Sequence, residues 1–343
     1  MKRNVLYIQY LRGIAAMLVV LHHARNPQPW LFDPLANVSY LGGAGVDIFF
    51  VISGFIMFIA ARNEAVGDFI QRRLTRIVPL YWLATLLLLV ITIVRSDPIA
   101  EAPPSHVIES LLFIPHFSPS RPGEILPLLI PGWTLNFEMF FYAVFAIAII
   151  SGRIIWTTAS LICGLVLLGF ILQPHGAISS TYTDPVLLEF LAGVMIGKAF
   201  LIYPFHRLWL LLPIGIAAFI LVALPGFPQD WRAVVHGIPA VIIVIGVLAV
   251  EARGHLLQSR VLKLIGDASY SIYLSHGFTL IFVFAAWRRI PLHGWPQFVG
   301  MTGSALAAAA LVGIAGHLMV EKPLLQRLNH FIQGLHRVRL ATD

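Results

Sequence analysis

The chain has 343 residues, of which 58% are hydrophobic and only 11% are Asp, Glu, Lys or Arg. Soluble domains carry about 25% charged residues, so this composition excludes a soluble enzyme. The net charge of +7 is therefore interpreted as membrane topology, and no nucleic-acid partner is expected. A transmembrane helix needs about 20 apolar residues, which leaves enough apolar sequence for about ten of them.

Charge-poor apolar runs predict an all-α fold, a polytopic membrane bundle of about ten transmembrane helices. The alternating segments of about ten residues that are typical of outer-membrane strands are not seen. The predicted spans are residues 5–23, 45–61, 78–95, 133–150, 154–172, 184–201, 208–224, 234–250, 269–287 and 298–319.

Lys and Arg residues concentrate in the segments that would be cytoplasmic if the N-terminus were inside, so both ends are predicted to be cytoplasmic. The first span resembles a secretory signal. However, Arg12 interrupts it and no small-residue cleavage site follows "LHHARNP", so an uncleaved span is expected. The single Cys163 excludes an internal disulfide, and no metal site is predicted.

The longest predicted extramembrane piece is the outer segment 96–132, which is rich in proline. Two interpretations stay open for it: a proline-stiffened loop with a short interfacial helix, or a lid or platform for an acceptor. The tail 322–343 is short and basic. We therefore expect one transmembrane domain over residues 1–343 with a cytoplasmic tail.

The first span contains the ionisable residues Arg12, His22 and His23. Such groups are costly inside a membrane and usually mark function. Arg12 and His23 are eleven residues apart, which is three helical turns plus about 20° and about 16 Å of rise, so they share one helix face. The alternative is a snorkelling arginine with interfacial histidines at the helix end.

Two acidic residues, Asp47 and Glu138, lie near the predicted outer ends of the second and fourth spans. Together with His22 and His23 they would meet in the outer third of the bundle. A carboxylate there would fix the orientation of a histidine and raise its basicity as a general base. Singly, Asp47 could be a helix cap and Glu138 the partner of an arginine.

Three arginines, Arg72, Arg73 and Arg76, lie where the third span begins. Guanidinium groups bind phosphates with two parallel hydrogen bonds, so this cluster could hold a phosphate-rich cofactor. The alternative is an ordinary cytoplasmic loop, which attracts arginine in any membrane protein.

The ninth span opens with "ASYSIYLSHGF", which places Tyr270, Tyr273 and His276 within about 120° of one helix face. These side chains could line a polar shaft or could satisfy one another inside the bundle. Gly54 and Gly193 are expected to be small-residue contacts between helices.

Five motifs in order, "LRGIAAMLVVLHH", "GVDIFFVISGF", "RRLTRIVPLYW", "WTLNFEMFFY" and "SYSIYLSHGF", together resemble the acyltransferase-3 family of integral membrane acyltransferases. A later "VEKP" is a further match. The family usually reads "WSLxxE" where this chain has Thr134, which retains the hydroxyl. The chain looks like the short, stand-alone members, among which exopolysaccharide O-acetylases are prominent.

The resemblance implies a ten-span bundle that transfers an acyl group, commonly acetyl from acetyl-coenzyme A, to a sugar hydroxyl. It implies that Arg12 and His23 are the essential pair, and that Arg73 and Arg76 serve the coenzyme. We then expect the thioester to be carried through the bundle to an acceptor at the outer face. There His23 would deprotonate the hydroxyl, while Arg12 would hold the pantetheine arm or polarise the thioester carbonyl.

The expected setting is the cytoplasmic (inner) membrane of a bacterium, with the lipid bilayer and a saccharide, possibly lipid-linked, as partners. Association with polysaccharide synthesis machinery is possible. Within the same chemistry, the acceptor could instead be a small glycoside or natural product. A proton-coupled transporter or flippase is the alternative of another class, because intramembrane His, Asp and Glu also form proton relays.

Overall fold

The computed structural model describes residues 5–26, 28–36, 38, 43–62, 64–94, 102–224, 231–254 and 257–342, with the backbone alone for 333–342. Residues 96–101 of the predicted outer segment lie outside this part. The described chain is helical, with one isolated bridge between Phe117 and Ile125 and no strand. The all-α prediction is confirmed.

Fifteen α-helices follow one another along the described chain. They are α1 Leu6–Ala24, α2 Gly45–Ala61, α3 Val66–Val94, α4 Pro104–Leu111, α5 Trp133–Ile150, α6 Ile154–Leu172, α7 Ala177–Tyr182, α8 Leu187–Ile202, α9 Leu211–Val222, α10 Arg232–Val235, α11 Gly237–Ala252, α12 Arg260–Asp267, α13 Ser269–Trp287, α14 Gly294–Gly316 and α15 Lys322–Thr342. A π-helical turn, His317–Glu321, joins α14 to α15.

Each predicted span coincides with one of these helices. Seven helical stretches are long and apolar enough to cross a bilayer, and α2 and α9 are apolar but shorter. The first helix, α1, has 19 residues that include Arg12, His22 and His23. A polytopic membrane bundle is therefore confirmed, while the count of ten and the cytoplasmic placement of both ends stay predictions.

Large apolar side chains point away from the bundle. More than 70% of each of Val94, Ile150, Trp156 and Phe282 is exposed. Such exposure is unfavourable in water but suits a surface covered by lipid. The inward faces instead carry aromatic side chains, and Phe50, Phe141 and Phe190 form one of the cores shared by α2, α5 and α8.

The first helix crosses the centre of the bundle and contacts α2, α11, α12, α13 and α14. Glu251, near the end of α11, caps the beginning of α1. Its Oε1 accepts a hydrogen bond from the Leu6 amide at 2.7 Å. We call this end of the bundle the inner end and the end at which α1 finishes the outer end, following the predicted orientation.

The third helix begins at Val66, twelve residues before the predicted span at 78. It therefore begins before the apolar run and carries Arg72, Arg73 and Arg76 on a regular helix rather than in a loop. The described tail likewise forms a helix, α15, which contacts α3.

The outer segment, as far as it is described, is docked on α3. The hydroxyl of Tyr81 donates to the Ser110 carbonyl at 3.1 Å, and Trp82 Nε1 donates to the Leu111 carbonyl at 2.7 Å. Beside them, His116 Nε2 and His106 Nδ1 lie 2.7 Å apart. Burial lowers the pKa of His106, and neighbouring His116 adds to this effect.

Glycines allow α2 and α8 to approach closely, as the sequence predicted. A Cβ on Gly54 would lie 2.0 Å from the Phe190 carbonyl oxygen, and one on Gly193 would lie 2.0 Å from that of Val51. No side chain fits at either distance. The two backbones therefore touch, and this contact fixes the position of α2 in the bundle.

We expect the variant Gly193→Val to be less stable by about 1–3 kcal/mol, because α8 must move away from α2 to admit the side chain. The measurement is the melting temperature of the detergent-purified protein. Gly164→Val on α6 is the control, because nothing lies within 4 Å of a Cβ there. Equal melting temperatures for the two variants would contradict the close α2–α8 packing.

Candidate functional site

Arg12 lies on α1 and its guanidinium reaches into the bundle. Arg12 Nη1 donates to Gln9 Oε1 at 3.1 Å, and Gln9 Nε2 donates to Asp267 Oδ1 at 2.8 Å. The last residue of α12, Asp267, is therefore connected to Arg12 through one amide. This chain of hydrogen bonds orients the cation without neutralising it directly.

Arg12 lines a cavity between α1, α2, α3, α5 and α13. The cavity, together with the space at its mouth, measures about 770 Å³. Its polar lining residues are Arg12, Ser53, Arg73, Arg76, Thr134, Glu138, Tyr142, Ser269, Tyr270 and Tyr273. Six residues predicted for the site are thus brought together, and three cations face one carboxylate.

The carboxylate of Glu138 is held by two hydroxyl groups. Ser53 donates to Glu138 Oε1 at 2.9 Å and Tyr142 donates to the same oxygen at 2.5 Å. The sequence predicted that either Asp47 or Glu138 orients His23. Among the described residues, however, its hydrogen-bond partners are Ser53 and Tyr142, so Glu138 belongs to the cavity.

Arg73 and Arg76 face the cavity, but Arg72 does not. The guanidinium of Arg73 lies 5.9 Å from the ring centre of Tyr142, a cation–π distance. Arg72 is rotated by about 100° around the helix from Arg73. Its side chain is 52% exposed and pairs with Glu64. The predicted cluster of three arginines is therefore split into a cavity pair and a surface residue.

His23 and His276 meet beyond the cavity, with ring centres 4.9 Å apart. His23 Nδ1 lies 2.9 Å from the Val19 carbonyl, and His276 Nδ1 lies 2.6 Å from the Tyr273 carbonyl. Because a carbonyl only accepts, both Nδ1 atoms carry a proton and donate it to these carbonyls. A backbone carbonyl, rather than the predicted Asp47 or Glu138, orients His23.

Tyr273 connects the histidine pair to the cavity. It lines the cavity, and its ring centre lies 5.9 Å from that of His276. Its hydroxyl lies 2.9 Å from Thr134 Oγ1 and donates to the Pro131 carbonyl at 3.1 Å. Tyr270 is anchored differently, by donating to the Ile77 carbonyl at 2.8 Å. Tyr273 thus contacts both the cavity that contains Arg12 and the histidine pair that contains His23.

Asp47 has another partner than the predicted histidine. Its carboxylate, which is fully buried, accepts from Arg232 Nε at 3.0 Å and from Arg232 Nη2 at 3.2 Å. The same guanidinium lies 5.2 Å from the ring centre of Trp133. Asp47 therefore joins α2 to α10 and to the beginning of α5, close to the outer end.

Two members of this outer cluster, Arg232 and Glu189, were not predicted from the sequence. Glu189 is buried beside Asp47 on α8. A carboxylate in the span predicted at 184–201 was the available signal. Arg232 offered no such signal, because it lies between the spans predicted at 208–224 and 234–250.

We expect Arg232→Gln to destabilise the protein by about 2–3 kcal/mol, because it leaves Asp47 buried without a cation. Adding Asp47→Asn should recover part of this loss, since the neutral amide needs no counter-ion. The measurement is the melting temperature of the single and double variants. Arg121→Gln, which removes an exposed pair with Glu124, should change little. If the loss of stability in the double variant equalled the sum of the losses in Arg232→Gln and Asp47→Asn, this result would contradict the ion pair.

Within the described residues, no group of three or more His, Cys, Asp or Glu side chains is arranged to hold a metal ion. The polar groups of the cavity are instead guanidinium, carboxylate and hydroxyl groups, which bind an organic ligand by charge and hydrogen bonds.

Comparison with known proteins places the chain among membrane acyltransferases. The acyltransferase-3 family model, described as an acyltransferase domain, matches residues 5–314. The chain is 42% identical to the exopolysaccharide production protein ExoZ of Rhizobium meliloti, over 84% of this chain and 90% of that protein. It is 25% identical to the acyltransferase MdmB of Streptomyces mycarofaciens, over 93% and 91% of the two chains.

A third relative is the putative peptidoglycan O-acetyltransferase YrhL of Bacillus subtilis, which is 23% identical over 92% of this chain but only 54% of its own length. No solved structure matches the chain. The family model covers most of the residues, including the whole cavity and the histidine pair. The chain therefore belongs to the acyltransferase-3 family and is a multi-pass membrane acyltransferase.

Proposed function

We propose that the protein transfers an acetyl group from acetyl-coenzyme A to a sugar hydroxyl of a polysaccharide, in the cytoplasmic membrane of a bacterium. The observation that carries this proposal is a cationic cavity whose lining residue Tyr273 lies beside the paired rings of His276 and His23. Similarity to an exopolysaccharide production protein and to a putative peptidoglycan O-acetyltransferase supports a polysaccharide acceptor. One domain over residues 1–343 would perform both donor and acceptor binding.

The donor would occupy the cavity with its phosphates toward Arg73 and Arg76. These residues are carried by the first turns of α3, near the inner end, and their guanidinium groups suit bidentate hydrogen bonds to phosphate. The pantetheine arm would then extend along α1 past Arg12, and the thioester would come close to His23. The arginine at the surface, Arg72, would take no part.

His23 would act as the general base. Its Nε2 accepts the proton of the sugar hydroxyl while the hydroxyl oxygen attacks the thioester carbonyl carbon. The carbon–sulfur bond then breaks, and the coenzyme thiolate takes the proton back from Nε2. The Val19 carbonyl holds Nδ1, so the proton is accepted on the side of the ring that faces away from α1.

Arg12 would hold the donor rather than polarise the reacting carbonyl. It lies eleven residues before His23, about 16 Å along the helix axis, and its guanidinium points into the cavity. A carbonyl within reach of His23 is beyond the reach of Arg12. Of the two roles that the sequence leaves open, contact with the pantetheine arm or its diphosphate is therefore the one we propose.

We expect purified His23→Ala to lose acetyl transfer by about 10²–10⁴-fold, the usual contribution of a general base. Arg73→Gln and Arg76→Gln should each raise the KM for acetyl-coenzyme A by about tenfold or more, because each removes charge-assisted hydrogen bonds to phosphate. The measurement is the rate of acetyl transfer from acetyl-coenzyme A to alkali-deacetylated exopolysaccharide of the producing strain.

Arg72→Gln is the matched control, because it removes the same charge from the neighbouring position outside the cavity. Its KM for acetyl-coenzyme A should equal that of the wild type. If Arg72→Gln raised this KM as much as Arg73→Gln does, the cavity would not be the donor site. Full activity of His23→Ala would exclude the proposed base.

A further inference from the structure

A second cavity lies near the outer end, on the other side of α5. It measures about 530 Å³ together with the space at its mouth. Residues from three parts of the chain line it: the beginning of α5, the short helix α7 with the turn after it, and Ile125 of the outer segment. The outer segment before α5 and the connection between α6 and α8 therefore both contribute to one pocket.

The beginning of α5 separates this pocket from the donor cavity. Thr134 and Glu138 face the donor cavity, while Trp133, Asn136 and Phe137 face the second pocket. Asn136 is rotated by about 200° around the helix from Thr134, so the two sets lie on opposite faces. The second pocket is thus a distinct site that the acetyl-transfer chemistry described above does not use.

Asn136 carries a buried polar atom without a hydrogen-bond partner among the described residues. Its side chain is 2% exposed, and the unpartnered atom is Oδ1. Buried polar atoms are paired in almost all native proteins, and an unpaired acceptor is costly. Because Asn136 lines the pocket, a donor group of a bound molecule would satisfy this oxygen.

The other polar groups of the pocket also offer acceptors. Ser180 Oγ donates to the Gly176 carbonyl at 2.8 Å, and Thr181 Oγ1 donates to the Ala177 carbonyl at 2.8 Å. Their hydroxyl hydrogens are therefore committed, and their lone pairs are left to accept. Asp184 adds a carboxylate, whose Oδ1 accepts from the Val186 amide at 2.8 Å. The pocket is suited to a ligand with many hydroxyl donors.

The apolar lining consists mainly of the aromatic rings of Trp133 and Phe137. Aromatic faces pack against the C–H faces of sugar rings, while acceptors at the edge bind the hydroxyl groups. Among the described residues that line this pocket there is no Lys or Arg, and Asp184 repels anions. A phosphate or coenzyme is therefore a poor fit, and a neutral sugar is a good one.

We propose that this pocket binds a neutral sugar residue of the acceptor saccharide, with Asn136 Oδ1, Ser180 and Asp184 accepting its hydroxyl groups. This inference rests on the proposed function, because it assumes a saccharide acceptor. The sugar held here is a different residue from the one that is acetylated, since the pocket and the donor cavity lie on opposite faces of α5. The pocket thereby selects the acceptor chain and positions it.

The test is calorimetric binding of neutral oligosaccharides to the full-length protein in detergent. The oligosaccharides are prepared from the exopolysaccharide of the producing strain by alkaline deacetylation and partial hydrolysis. Asn136→Ala removes the acceptor and Ser180→Trp fills the pocket. Each should raise the Kd by about tenfold or more, as expected for loss of a buried hydrogen bond or of the space for the ring.

Ser179→Trp is the matched control. Ser179 is the exposed neighbour of Ser180 on α7, its hydroxyl also donates to the Gly176 carbonyl, and it does not line the pocket. This variant should keep the wild-type Kd. No binding by the wild type, or an equal Kd for Ser179→Trp, Ser180→Trp and Asn136→Ala, would overturn the sugar site.

Acetyl transfer measured on the same samples separates this inference from the proposed function. Transfer by the wild type, with an acceptor Kd that neither pocket variant changes, would leave the proposed function standing and overturn the sugar site. Binding that both pocket variants weaken, without any transfer by the wild type, would support the sugar site and contradict acetylation.

Discussion

Guanidinium groups inside an apolar bundle limit how closely its helices can pack, and the rest of the structure follows from this limit. A charged side chain in the membrane interior is costly unless water or polar partners surround it. Arg12, Arg73 and Arg76 converge on one space, where Glu138 supplies a single opposing charge. The helices cannot pack closely around three cations. The cavity therefore exists because of these residues, and its excess positive charge favours an anionic ligand.

The two cavities of the bundle are lined by chemically different side chains. The cavity around Arg12 is cationic, and its arginines come from the beginning of α3 and from α1. The second pocket is lined by acceptors and aromatic rings and contains Asp184. Between the two lies the beginning of α5, which supplies side chains to both. If the two sites bind donor and acceptor as we propose, both ligands can be held at the same time without competing for one site.

Much of the bundle could be predicted from the sequence, because apolar runs of about the right length have few alternatives in a membrane. The shared face of Arg12 and His23 followed from helical geometry alone. Contacts between helices were not predictable in the same way. The partners of Asp47 and Glu138 depend on which helices are neighbours, and hydropathy does not specify neighbours.

Particular residues show why the rest of the site was missed. Arg72, Arg73 and Arg76 were equivalent as long as they lay in a loop, and only the extension of α3 back to Val66 separates Arg72 from the others. His23 was expected to need a carboxylate, whereas the carbonyl of Val19, one turn earlier in the same helix, orients its ring. Such contacts with the backbone cannot be predicted from the pattern of residue types along the sequence.

In the proposed reaction the acetyl group enters from the inner end and leaves at the outer end. The most direct measurement uses proteoliposomes with one orientation of the protein, with acetyl-coenzyme A confined to the inner-end side and deacetylated oligosaccharide confined to the other side. We expect acetylated oligosaccharide in this arrangement and little of it when both compounds are on the outer-end side. Transfer only when donor and acceptor share one side would contradict this direction of transfer.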